Sequence, residues 1–165
     1  MATKRDLFAM EDAGWLELEA PLARLTPGQF DEVGYYPPGP EGGGDGWSVK
    51  DLLAHLGSWH AVAGQALERI RMGTYQRERH DVEAMNREFY EANRDLPLST
   101  VRAELWSARN RLLQEFDLLQ EPDETAEEWF AESGSDHYAE HLSRLQRWTE
   151  ELRARASGGS DGKVT

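Results

Sequence analysis

Apolar residues recur at intervals of three and four along four long segments, a period that fits helices and not strands. The clearest stripe is Val49, Leu52, Leu56, Trp59, Ala63, Leu67 and Ile70. Its start is marked by Ser48 and Asp51, which form an S-x-x-D capping box, with Trp47 and Leu52 placed as a hydrophobic staple. Its end is expected near Gly73. An earlier helix is predicted from about Lys4 to Leu25, carrying Phe8, Trp15, Leu18, Leu22 and Leu25; Pro21 is expected to kink or divide it. A third starts near Ser99 and buries Val101, Leu105, Ala108, Leu112, Phe116 and Leu119. A fourth runs from about Ser135 to Ala156 with Leu145, Trp148 and Leu152 inward. Shorter helical pieces are predicted over Glu83–Ala92 and near Thr125, where Thr125 and Glu128 offer a second capping box. No β-branched run is long enough for a sheet. The prediction is an all-α, antiparallel four-helix bundle with short helices in its connections. One domain is expected over residues 1–156, followed by a disordered tail over 157–165.

Composition narrows what such a bundle does. The chain has 165 residues and no cysteine, so it has no disulfide, thiolate metal site or cysteine nucleophile of its own. Eighteen Lys and Arg stand against 31 Asp and Glu, a net charge of −13. That balance disfavours nucleic acid, whose backbone is held by clustered cations. No signal peptide and no span of about 20 apolar residues is visible, so the expectation is a cytoplasmic protein without membrane contact. The loop from Thr26 to Trp47 contains PPGPEGGGDG but lacks the GxxxxGK[ST] pattern, and reads as a connection. Eight acidic residues and no Lys or Arg lie between Glu115 and Glu132, a solvated face or the rim of a cavity. Trp106 and Trp129 fall off the main stripes, which suggests a homodimer interface.

Histidine placement carries the chemistry. At about 100° per residue, His137, Leu145 and Trp148 lie within about 40° of His141, so both imidazoles point inward. Residues four apart on one helix face are close enough to share a metal ion. His55 sits on the flank of the second helix; if the starts of the second and fourth helices adjoin, it completes a set of three. Three protein ligands with an open position is the catalytic pattern for zinc, although imidazole suits nickel and iron too. Buried, hydrogen-bonded core histidines are the alternative. Glu140 points away from the inward direction and is not assigned as a base. His60 reads as surface or interface, and His80 as solvated.

The segments WSVKDLLAHLGSWH (residues 47–60), MNREFYEANRDLPLS (85–99) and HYAEHLSRLQRW (137–148) resemble the DinB/YfiT-like superfamily. The nearest branches are the mycothiol-dependent maleylpyruvate isomerase N-terminal domains and the ClbS/DfsB-type bundles. The resemblance spans nearly the whole chain and implies a DinB-like bundle whose metal ligands are His55, His137 and His141. Around them, Asp51 is a candidate outer hydrogen-bond partner or simply a capping carboxylate. Trp59 is a candidate pocket or core residue. Asn86 is a candidate cavity amide, and Tyr138 a candidate hydroxyl at the site or between helices.

The resemblance implies a divalent metal, zinc or nickel first, iron or manganese next. The ion would activate a low-molecular-weight thiol or water for attack on an electrophilic small molecule, in a transferase, isomerase or hydrolase reaction. The alternatives are a stress or resistance protein that binds a small molecule or metal without turnover, and a structural dimer with a vestigial site. Similar proteins are often dimers.

Overall fold

Short polar side chains fix most of the helix starts. The computed structural model describes residues 2–40 and 42–159. Helix α1 spans Lys4–Leu22, α2 Val49–Arg71, α3 Val82–Asn93, α4 Leu98–Leu118, α5 Glu124–Ser133 and α6 Ser135–Gly158, with a 3-10 turn at Pro27–Asp31. Thr3 with Asp6, and Ser48 with Asp51, form reciprocal capping boxes at α1 and α2. Asp81 and Asp123 accept from Ala84 N and Ala126 N at the starts of α3 and α5. Asp123 therefore takes the role predicted for Thr125, two residues earlier than the expected box. Helix α1 stops at Leu22, one residue after Pro21, whose missing N–H takes an i→i−4 hydrogen bond out of the final turn. Helix α6 runs through Ser157 and Gly158 and is capped by Gly159, so the expected tail begins as helix; residues 160–165 of it lie outside the described residues. Among the described residues there is no strand, only an isolated bridge between Tyr36 and Trp47.

The long helices α1, α2, α4 and α6 form the bundle, with α3 and α5 in the connections. Antiparallel packing holds for α1 against α4, where Lys4 reaches Asp117 and Glu11 meets Arg109. It also holds for α2 against α6, where His60 meets Tyr138 and His55 meets His141. The other two pairs run parallel. Gly57 and Gly64 of α2 abut Leu105 and Leu112 of α4 in the same order, and Gly14 of α1 and Arg24 just beyond its end meet Tyr138 and Glu150 of α6. The order is up-down-down-up. Apolar periodicity carries no direction, and the long 72–97 connection, which includes α3, can return the chain along a helix of about 30 Å. The α2–α4 contact is close at Gly57, where a Cβ would lie 3.2 Å from the Leu105 Cα.

Two apolar clusters fill the interior. One joins Leu18, Leu52, Leu56, Val101, Leu105, Leu145, Trp148 and their neighbours. The other joins Leu7, Leu67, Leu112, Phe116, Phe130 and theirs. Between these clusters along α1 and α4 lies a polar layer. Glu11, 1% exposed, accepts from Arg109 Nε at 2.8 Å, Arg109 Nη2 at 2.7 Å and the Tyr138 hydroxyl at 2.8 Å. His60 Nε2 lies 2.9 Å from the same hydroxyl. Because that hydroxyl gives its proton to the carboxylate, the neutral His60 ring donates through Nε2. His60 is fully buried, which corrects the surface expectation: Tyr138 of α6 packs against its ring with centroids 5.6 Å apart.

Candidate metal centre

Three imidazoles converge where the first half of α2 faces the first turns of α6. His55, His137 and His141 are each buried, and one ligand nitrogen from each lies within 4.8 Å of the others. His55 Nε2 and His137 Nε2 are 2.9 Å apart. Nitrogens sharing one ion at bond lengths of about 2.0–2.1 Å must sit about 3 Å apart, so this spacing suits a common ion. The Tyr35 hydroxyl lies 2.7 Å from His141 Nδ1, which leaves Nε2 as the ligand atom of that ring. His55 packs against Trp47 with ring centroids 5.0 Å apart, and its Nδ1 is buried without a partner.

The rings are held neutral. Burial pushes His137 down to about 3, helped by His141 and His60. Burial and the Arg144 guanidinium bring His141 to about 4. His55 lies well below the ordinary imidazole range, again through burial first and then the two neighbouring rings. Neutral imidazole is the form that ligates a metal, so the donor set fits a divalent ion of the zinc or nickel type.

Helix α6 reaches this geometry through an unusual start. It follows α5 after the single residue Gly134 and has no side-chain cap. A Cβ on Gly134 would lie 2.8 Å from the Phe130 carbonyl oxygen and 3.1 Å from Glu11 Cγ. The Glu11 side chain thus packs against the uncapped end, where a helix favours negative charge.

Above the histidines opens a cavity of about 940 Å³, bordered by α3, α5, α6 and the loop around Trp47. Trp59 and Asn86 line it, joined by an indole N–H to Oδ1 bond of 2.8 Å. Asp51 serves the capping box, accepting from Ser48 N and Oγ, and makes no hydrogen bond to His55. Tyr138 is turned from the cavity toward Glu11 and His60. Glu140 and His80 border the cavity from exposed positions. Tyr35 was not anticipated. It lies in the loop dismissed as a connection, and the only trace of its role in the sequence is the aromatic pair Tyr35–Tyr36 before the Pro/Gly run.

Residues 12–152 match the mycothiol maleylpyruvate isomerase N-terminal domain family. Among solved structures, an uncharacterised protein from Escherichia coli UTI89 shares the fold, with a TM-score of 0.74 and 20% identity over 92% of this chain and 95% of that one. A comparison with curated proteins gives no match.

Proposed function

Since the chain belongs to the mycothiol maleylpyruvate isomerase N-terminal domain family, we propose that it is a metal-dependent enzyme acting on an electrophilic small molecule. His55, His137 and His141 would hold the ion, zinc or nickel before iron or manganese. When bound, such an ion supplies a Lewis acid that lowers the pKa of a coordinated thiol or water. The chain has no cysteine, so the thiol is a low-molecular-weight cosubstrate. The observation that carries this reading is the convergence of three buried neutral imidazoles on an open cavity. Tyr35 would orient His141 through Nδ1. Trp47 packs against the His55 ring and limits its access to water. Trp106, 68% exposed on α4, supports a homodimer.

The test is metal analysis of protein purified without a His tag or added metal. Near-stoichiometric metal, lost in His137→Ala, is expected; metal absent from the wild-type chain refutes the site. The metal-bearing protein is then assayed for consumption of mycothiol, bacillithiol and glutathione with electrophile panels, and for hydrolysis of the electrophile alone. The second reading is binding of a metal or small molecule without turnover. Metal without thiol consumption or hydrolysis selects that reading.

A further inference from the structure

The cavity walls carry a charge pattern that the metal reading does not use. Among the described residues six carboxylates line it, from Glu78, Glu83, Glu91, Glu128, Glu132 and Glu140, against the guanidiniums of Arg77 and Arg87. Arg77 is already paired with Glu128 at 3.3 Å. The described lining thus has four carboxylates in excess of its guanidiniums, offset in part by Arg94 and Arg144, which lie over the lining Tyr90 and Tyr36 rings at 5.3 and 4.2 Å. The apolar part of the wall is aromatic, including Trp47, Trp59, Tyr75, Tyr90 and Trp129. Two of its polar edges are spent inside the protein: Trp59 donates to Asn86 at 2.8 Å and Trp129 to the Tyr75 hydroxyl at 3.0 Å. What these indoles offer a ligand is therefore the electron-rich face, which attracts cations.

The floor of the cavity is the histidine cluster itself, since His55, His137 and His141 all line it. A carboxylate-bearing ligand entering from solvent crosses a rim of its own sign before it reaches the histidines. A protonated amine gains attraction at the rim and again at the aromatic faces.

We propose that this cavity selects a small molecule carrying a protonated amine beside a flat apolar body, and disfavours carboxylate-bearing ligands. The inference rests on the cavity being the substrate site, but the preference resides in the walls and does not need the metal. By the same pattern, a thiol cosubstrate without carboxylates is favoured over glutathione, which bears two.

Benzylamine, benzyl alcohol and benzoate differ in charge at nearly constant shape and serve as probes. They are titrated into the full chain while the indole N–H resonances of Trp59 and Trp129 are followed. The decisive comparison uses metal-free protein, because benzoate can itself coordinate an ion; metal content is measured on the same sample. At low salt, benzylamine should bind at least tenfold more tightly than benzoate, with benzyl alcohol between them. The gap should shrink in 0.5 M salt, as expected for exposed charges. The double variant Glu132→Gln/Glu140→Gln should reduce it at least threefold. Benzoate binding as tightly as benzylamine overturns the proposal, as does a gap indifferent to the double variant or an absence of indole shifts with benzylamine. Loss of metal binding with the preference intact would sink the metal reading alone.

Discussion

Replacing Glu11 by alanine tests the polar layer that anchors α6. The carboxylate is 1% exposed and accepts three hydrogen bonds, two from Arg109 and one from Tyr138. Arg109 is itself only 14% exposed at its side chain, so without Glu11 a guanidinium is left largely buried and without its buried carboxylate partner. Removing one partner of a buried pair costs about 3–5 kcal/mol, because the remaining charge keeps its desolvation penalty. For a chain of this size, about 2–4 °C of melting temperature accompanies each kcal/mol, so the expected loss is about 6–20 °C. Glu11→Gln, which keeps an acceptor for the Tyr138 hydroxyl, should lose less. The double variant Glu11→Leu/Arg109→Met should recover much of the loss, since apolar replacement of both partners removes the stranded charge. Thermal and urea unfolding of the metal-free protein read all three. A loss below about 1 kcal/mol in Glu11→Ala, or a double variant no better than the single one, refutes the reasoning.

Tyr35→Phe keeps the ring and removes the bond to His141 Nδ1; metal affinity, measured by competition with a chromophoric chelator, should fall about 10–100-fold while the metal-free fold is nearly unchanged. Acid should destabilise the metal-free protein. The folded-state values of His55, His60, His137 and His141 all lie below 6.5, with His60 near 3 through burial first and Arg109 second. The unfolded chain therefore binds more protons than the folded one once pH falls below about 6.5, and stability drops until the folded values near 3–4 are reached. Each such group contributes up to about 1.4 kcal/mol per pH unit, so urea unfolding between pH 6 and 4.5 should show a slope above that of a single proton; a flat profile contradicts the burial of these rings. Gly57→Val should cost about 1–3 kcal/mol in urea unfolding, because the Leu105 backbone stands where its side chain would go. An unaffected midpoint would show that α2 and α4 are not in contact there.

Much of the site was legible because helical spacing is a local property. His137 and His141 face inward by virtue of being four residues apart beside Leu145 and Trp148, and Ser48 with Asp51 fixes the start of the helix that carries His55. Local rules were less informative where a residue meets several partners. His60 looked peripheral on its own helix, yet it is buried because Tyr138 and Glu11 come to it from α6 and α1. Asp123 rather than Thr125 caps α5, a choice between neighbouring acceptors that helix propensity does not resolve. Tyr35 lies in a loop without any periodicity, so nothing local aims its hydroxyl at His141. The sequence by itself determined that the chain is helical, which faces turn inward, and which histidines share a helix face, since backbone period and capping act over a few residues. Tertiary structure alone decided that α1/α6 and α2/α4 run parallel, that Glu11 meets the uncapped start of α6, and that carboxylates of α3, α5 and α6 border one cavity. Those outcomes depend on contacts between residues far apart in the chain, which only the packing of the whole bundle brings together.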